Sequence, residues 1–368
     1  AVLENLDKSK KTIGSITPIN AVTIDDIKRR RLQLENVGFN SLREGKVAAV
    51  LLAGGQGSRL GYEGPKGTFE MGLTRKLSIF ELQIESLKYV AEKAGRHPHL
   101  FIMTSVQNDA ETQKFFEENN FFGYPHELIH FFIQDVAPTC DFDGKVFLDQ
   151  KYRVSLAPNG NGGWYSSLIN GGFARLIERE NIEWLNVDGV DNVLQKPCDP
   201  AFIGATILNN CRCGAKVVSK VSPEEKVGVI CNEDGKPTVL EYFEIPESLK
   251  NKTENGKLVY RFGVILNYLF SVKALNQTLP GKLPYHLAEK AITHIEYGER
   301  VTPPKPCGYK LETLVVDMVK LKPVSQLTHE RKCIHSRLRR PIGVKLKVQI
   351  FRICFLHQQL ICRFPFRY

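Results

Sequence analysis

No stretch of this chain approaches the roughly 18 consecutive apolar residues that a membrane-spanning helix requires, and its opening residues lack the apolar core of a secretory signal. Cysteine is present but never as a CxxC pair: nine are scattered, and Cys211 with Cys213 makes only a CxC. An odd, unpaired set argues against a zinc ribbon or a disulfide framework and for a reducing compartment, so a cytoplasmic protein is expected. Internal repeats and low-complexity segments are missing as well. No Ser-His-Asp or Cys-His arrangement suggests a covalent nucleophile, and His126 and His130, spaced i, i+4, lack a third ligand for a metal site. With 368 residues, 42% hydrophobic and 24% charged, the chain has material for a large globular core.

The formal net charge of +10 is confined to one end. Lys320 to Tyr368 carries five Lys and seven Arg against Glu330 alone, whereas residues 1–319 hold 38 basic and 39 acidic side chains. A basic body suited to nucleic acid is thereby excluded. The tail interleaves a few aromatics, Phe351, Phe355 and Phe364, but has no RNA- or DNA-binding motif.

Residues 1–45 read as a helical segment with Thr23 or Asp25 as cap. From Lys46 onward, short β-rich runs alternate with longer amphipathic ones: VAAVLLA then Leu77 to Ala94, HLFIMTS then Ala110 to Asn119, LIHFFIQ then Trp164 to Arg179, IEWLNV then Pro200 to Asn210. That alternation predicts an α/β fold, a mixed, mostly parallel sheet flanked by helices. Between Cys213 and Phe270, strands joined by turns at Asn232 to Lys236 and Thr253 to Gly256 predict a mixed-sheet extension.

In such sheets ligands sit at the carboxyl ends of the strands, and VAAVLLA runs directly into GGQGSRLGYEGPKG. Gly54, Gly55 and Gly57 free backbone N–H groups for close approach to an anion or a flat base. A dinucleotide fingerprint fails here because its third glycine is Leu60, and a Walker loop fails because Lys66 stands between Pro65 and Gly67. What remains is a loop with two cations, Arg59 and Lys66, neither with an evident acidic partner, suited to a polyphosphate. The bland alternative is a glycine turn with solvated cations.

These residues resemble the signature GGxG(T/S)RLGxxxPKG of the UDP-N-acetylglucosamine and UDP-sugar pyrophosphorylases, the UTP:sugar-1-phosphate uridylyltransferases. The resemblance continues through Met103-Thr104-Ser105, Gln134, Ala157 to Gly163, Val190-Asp191-Asn192, Val227-Gly228-Val229, Glu241-Tyr242 and Gly308 to Glu312. It implies a Rossmann-like nucleotide-diphospho-sugar transferase fold, with 46–319 as the catalytic domain and 320–368 as a basic tail foreign to the family.

The resemblance also implies roles. The Gly54-Gly55 backbone and Gln134 would hold uracil, with Gly57 in the same loop; Gly160 and Asn161 would lie along nucleotide and sugar. Arg59 and Lys66 would hold phosphates, with Lys310 a further phosphate candidate, and Asp191 would ligate Mg²⁺. Gly228, Glu241 and Asn267 would face the sugar. Taken alone, Asp191 could equally cap a helix, PNGNGG could be only a turn, and Glu241 could be an exposed strand residue. UTP and a sugar 1-phosphate are the implied partners, with no membrane and a monomer expected. The implied reaction is in-line attack of the sugar phosphate, already an anion, on the α-phosphorus of UTP, releasing pyrophosphate.

Two departures stand out. The N-acetylglucosamine enzymes carry an NxGN-like strand where this chain reads Arg261-Phe262-Gly263-Val264, which puts glucose or galactose close behind N-acetylglucosamine as the sugar. The family's later lysine, in a (Ser/Ala)-Pro-x-Lys-Asn setting, has no match. Lys320 to Tyr368 is therefore expected to be a replaced ending that packs poorly and leaves the phosphate side open. A nucleotide-sugar-binding protein with impaired turnover is the second hypothesis.

Overall fold

The run Val47–Leu52 forms the central strand, buried along its whole length. Its side chains alternate: Ala48, Val50 and Leu52 enter one apolar cluster, while Val47, Ala49 and Leu51 enter another on the opposite face. A strand covered on both faces has no use for polar positions, hence the uninterrupted apolar run. The computed structural model of the chain describes residues 14–72, 75–277, 283–320, 327–328 and 330–332.

Leu100–Thr104 and Trp184–Gly189 lie parallel to the central strand on either side, and Ile129–Ile133 lies parallel beyond Leu100–Thr104. The chain thus builds outward in one direction and then returns to the other side of Val47–Leu52. That reversal opens a crevice at the carboxyl ends of the central strands. Phe262–Ser271 runs antiparallel between Trp184–Gly189 and Cys213–Ser219, and the hairpin Val229–Glu233 with Lys236–Leu240 completes the mixed extension.

Helix Ile79–Ala94 covers one face, started by Ser78, whose Oγ accepts from Glu81 N at 3.1 Å, and stopped by Gly95 at φ +73°. Thr23 caps Ile24–Arg29 reciprocally with Asp26, and Arg31–Arg43 packs on Pro200–Leu208, so these two helices belong to the body. The single helix expected over Trp164 to Arg179 is interrupted: Trp164–Leu168 and Ala174–Arg179 flank a wide turn at Ile169–Phe173, where Gly172 adopts φ +90°. No helix among the described residues is long and apolar enough to cross a membrane.

The sequence reading did not anticipate a second, four-stranded antiparallel sheet. Its order is His286–Lys290, Gly308–Glu312, Val136–Asp141, Leu156–Pro158. It rises from the crevice end of the large sheet, since Val136 follows Gln134 by two residues and Pro158 leads into the PNGNGG loop. The expected poor packing of the tail falls outside the described residues, apart from backbone pairing of Leu327–Thr328 with Ala21–Val22 and of Glu330–Lys332 with Cys213–Ser219.

Under the crevice lies a buried carboxylate. Asp188, 4% exposed, lines a cavity of about 20 Å³ with Gln83, and Asp188 Oδ1 and Gln83 Oε1 are both buried without a hydrogen-bond donor. A proton on Asp188 would supply one, and burial pushes this carboxyl up to about 7, with Lys216 opposing and Asp199 adding to the shift. The folded chain therefore keeps a proton that the unfolded chain releases near pH 4, so stability falls as pH rises from about 4 to 7. Asp188→Asn should raise the melting temperature at pH 8 and change it far less at pH 5. An equal shift at both pH values, in thermal melts, would count against a protonated Asp188.

Candidate active site

After the central strand the glycine loop doubles back on itself. Gly57 N donates to Gly64 O (2.9 Å), Lys66 N donates to Gly55 O (3.1 Å), and Gln56 bridges Pro65. This return brings Lys66 over the glycines, so that a Cβ on Gly55 would lie 3.5 Å from Lys66 Nζ. The Lys66 side chain is 13% exposed and its Nζ lies 2.5 Å from Asp191 Oδ1. The expectation that this lysine lacks an acidic partner is thus corrected: the partner comes from the loop after a neighbouring strand, far off in sequence. Arg59 belongs to the turn Gly57–Leu60, and its side chain is outside the described residues.

Asp191 follows Trp184–Gly189, so two parallel neighbours deliver the lysine loop and this carboxylate to one end of the sheet. The next helix, Pro200–Leu208, is capped by Asp199, whose Oδ1 accepts from Ala201 N at 3.1 Å. Asp191 is therefore not a cap, and its side chain is 72% exposed.

Gln134 is 7% exposed just beyond Ile129–Ile133. Its Nε2 donates to Gly160 O at 2.6 Å, which leaves Oε1 on the Gly54 side, where a Cβ would come within 2.9 Å of it. Gly54 is thus glycine because the amide needs the space. Gly160, at φ +82°, lies against a second segment: Thr313 N donates to Asn159 O (2.7 Å) and Gly162 N donates to Thr313 O (2.9 Å). Asn161 Oδ1 accepts from Val315 N at 3.0 Å, so part of this side chain fastens the loop. PNGNGG is both a turn and the wall of a slot.

Sequence reasoning missed Asn108. Buried at 1% exposure, it accepts from Ser105 N (2.7 Å) and donates to Ala53 O (3.0 Å), pinning the start of the glycine loop. The only hint was an asparagine ahead of the helix Asp109–Glu118, a position that usually reads as a cap.

Residues 2–308 match the family described as UTP–glucose-1-phosphate uridylyltransferase. The chain belongs to this family. Among relatives of this uridylyltransferase family, the chain is 41% identical over 305 residues to human UDP-N-acetylhexosamine pyrophosphorylase-like protein 1, covering 80% of this chain and 60% of the relative. It is 34% identical over 334 residues to the UDP-N-acetylglucosamine pyrophosphorylase of Saccharomyces cerevisiae, covering 87% and 70%. The structure of uridine diphosphate N-acetylglucosamine pyrophosphorylase from Trypanosoma brucei, in complex with an inhibitor, matches with a TM-score of 0.78 at 27% identity, over 96% of this chain and 73% of that one. The chain spans 58–60% of the length of the pyrophosphorylase-like relatives from human, frog and mouse.

In this member of the uridylyltransferase family, the residues expected at the sugar divide. Gly228 and Glu241 meet, since a Cβ on Gly228 would lie 3.3 Å from Glu241 Oε1. Asn267 is 1% exposed in the sheet: its Oδ1 accepts from Asn186 (3.3 Å) and its Nδ2 donates to Gln195 (2.9 Å). Both amide atoms serve a core network, so the expected sugar contact is corrected to a structural one. Lys310 stands mid-strand in the small sheet, opposite Ala288 and Thr139. His126 is exposed beside Glu127, whereas His130 bonds His99 (2.9 Å) and burial pushes it down to about 4. No cluster of three or more His, Cys, Asp and Glu able to hold a metal occurs among the described residues.

Proposed function

We propose that the chain transfers uridylyl from UTP to a sugar 1-phosphate, N-acetylglucosamine 1-phosphate first among them, releasing pyrophosphate. The observation that carries this reading is the meeting of Lys66 and Asp191 beside the slot formed by Gly54, Gln134 and Gly160. Gln134 Oε1 accepts the uracil N3–H while the glycine backbone donates to a uracil carbonyl. Lys66, and Arg59 by the resemblance, take the phosphates, and Glu241 with Gly228 receives the sugar.

Mg²⁺ fits this donor set. It binds through one or two carboxylates plus substrate phosphates, and Asp191 offers an exposed carboxylate that already attracts an ammonium. When bound, the ion supplies positive charge for the α-phosphate and the departing pyrophosphate. The protein's own part is to align two anions that repel each other and to hold Lys66 where charge develops. The sugar phosphate arrives deprotonated and requires no general base.

The names of the relatives favour N-acetylglucosamine, while Val264, which offers no side-chain hydrogen bond, keeps glucose and galactose in the panel. A coupled pyrophosphate-release assay with UTP, Mg²⁺ and these sugar 1-phosphates tests the reading, with release from N-acetylglucosamine 1-phosphate as the expected result. In thermal-shift titrations UTP should stabilise the chain and ATP should not. Saturable UTP binding without release from any sugar phosphate would favour the impaired nucleotide-sugar binder instead.

A further inference from the structure

Asp191 lies in an irregular stretch between the strand Trp184–Gly189 and the helix Pro200–Leu208. Such a loop has no ladder of its own, so its place is set by what its backbone groups bond to. Buried amides meet them here, in series. Cys198 N donates to Asn186 Oδ1 (2.5 Å), Asn186 Nδ2 to Asn267 Oδ1 (3.3 Å), Asn267 Nδ2 to Gln195 Oε1 (2.9 Å), and Gln195 Nε2 to Gly189 O (2.7 Å). Asn186, Asn267 and Gln195 are 0%, 1% and 6% exposed.

The series starts at a backbone N–H on one side of the loop and ends at a backbone carbonyl on the other. Its two ends dictate its direction. Turning any one amide over would set N–H against N–H and oxygen against oxygen. Asn186 and Asn267 stand on strands paired antiparallel, and Asn186 Nδ2 also donates to Tyr268 O at 2.9 Å, so the relay has a rigid base.

Asp191 sits above the last link. On one side of it, Val190 N donates to Leu52 O (3.1 Å), the end of the central strand; on the other, Asn192 N donates to Gly189 O (3.2 Å), the carbonyl that Gln195 holds. The Asp191 side chain is 72% exposed, yet it meets Lys66 Nζ at 2.5 Å. Packing around an exposed side chain cannot fix its place, so the backbone beneath must. Farther along, Lys216 Nζ donates to Lys196 O (3.3 Å) and to Asp199 Oδ2 (3.0 Å), which pins the end of the loop independently of Gln195.

We propose that Gln195, oriented by Asn267 and Asn186, is a positioning residue for Asp191: the amide relay closes the loop from beneath and sets its carboxylate beside Lys66, where cation and phosphates are received. The inference rests on the uridylyltransferase reading. It gives Asn267 a part in the site without contact with any ligand.

The test uses the full chain and measures UTP binding by calorimetry with excess Mg²⁺ and in EDTA; the ratio of the two affinities is the Mg²⁺-linked gain. No sugar phosphate is present, so turnover does not enter. Gln195→Met keeps the length of the side chain but offers no amide, and it should cut the gain about tenfold, the scale for losing a hydrogen bond that orients a metal ligand. UTP affinity in EDTA should not change. On an Asp191→Asn background the same substitution should alter the gain no further, because its effect passes through that carboxylate.

Stability separates positioning from support. Gln195→Met strands the Asn267 Nδ2 donor and should lower the melting temperature, whereas Gln195→Met/Asn267→Leu removes both partners and leaves Asn186 its bond to Tyr268 O. The double variant should regain melting temperature but not the Mg²⁺-linked gain. It carries the same expectation if Gln195→Met alone does not fold. Recovery of gain and melting temperature together, an undiminished gain in Gln195→Met, or loss of folding in both variants would make the relay structural and overturn the proposal. If Asp191→Asn abolishes the gain while Gln195→Met leaves it intact, this inference alone fails. A wild-type chain whose UTP affinity owes nothing to Mg²⁺ or to Asp191 would overturn the role of Asp191 on which the inference rests.

Discussion

Replacing Lys66 with alanine is expected to lower pyrophosphate release by about two decades, the usual cost of removing one charged contact from a transition state, or ~3 kcal/mol. The melting temperature should move by only a few degrees. The two halves of this expectation have separate causes. Lys66 is held nearly buried over the glycine loop, where the loop's own hydrogen bonds keep it whatever its side chain does. Its partner Asp191 is 72% exposed, and an ion pair open to solvent on one side adds about 1 kcal/mol or less to stability. Arginine should not restore the rate, because its planar fork cannot take the place of a compact ammonium in so close a loop. The variant Lys66→Ala/Asp191→Asn should lose less than the product of the single losses, since residues in contact and acting on one reacting group are not additive. Steady-state kinetics beside thermal melts provide the check. A large loss of melting temperature with unaltered turnover would make Lys66 a structural residue of the loop.

Gly160→Ala should destabilise the chain by about 3 kcal/mol, the upper part of the range for single substitutions, and lower the melting temperature by roughly 5–10 °C. Positive φ accounts for about 1 kcal/mol of this. The larger part is steric: a Cβ would lie 2.2 Å from Thr313 O and 2.7 Å from Thr313 N, both backbone atoms already bonded to the loop. The loop must then lift away, taking with it the carbonyl that orients Gln134. UTP affinity should fall together with stability. Gly235→Ala is the control, because Gly235 also has positive φ (+76°) but has nothing within 4 Å of its Cβ position. It should cost only the conformational part. Equal melting temperatures for the two variants would show that contact with Thr313 does not matter.

Much of the large sheet was legible because its strands are either wholly apolar or bounded by turn residues, and its helices keep their period. The turns at Asn232 to Lys236 and Thr253 to Gly256 fall between paired strands as expected. The small sheet was not legible. Its strands are short and mixed in polarity, and Val136–Asp141 pairs with Gly308–Glu312 across nearly half of the chain, a distance over which local pattern carries no information. The same limit applies to the site. Lys66 and Asp191 could each be named from the sequence, but their pairing depends on two strands being neighbours. Asn267 was misread for a different reason. An amide on a buried strand faces a ligand or the core according to what its partner strand presents, and here it meets Asn186 and Gln195. Glycine pairs are ambiguous in helices for similar reasons, and only packing decides that Gly171-Gly172 interrupts one.

The order of strands in the large sheet also sets a timetable for synthesis. Val47–Leu52 receives one edge partner at Leu100–Thr104 but waits for the other until Trp184–Gly189 has been made, an interval on the order of 10 s at ordinary elongation rates. Throughout it, an entirely apolar strand has one edge open, the condition under which nascent chains stick to one another or recruit holdase chaperones. The slot forms later still. A ribosome stalled before Thr313 would hold a chain with the whole parallel sheet and an intact glycine loop but without the clasp on PNGNGG, so nucleotide could not rescue such an intermediate from misfolding until almost all the described chain had emerged.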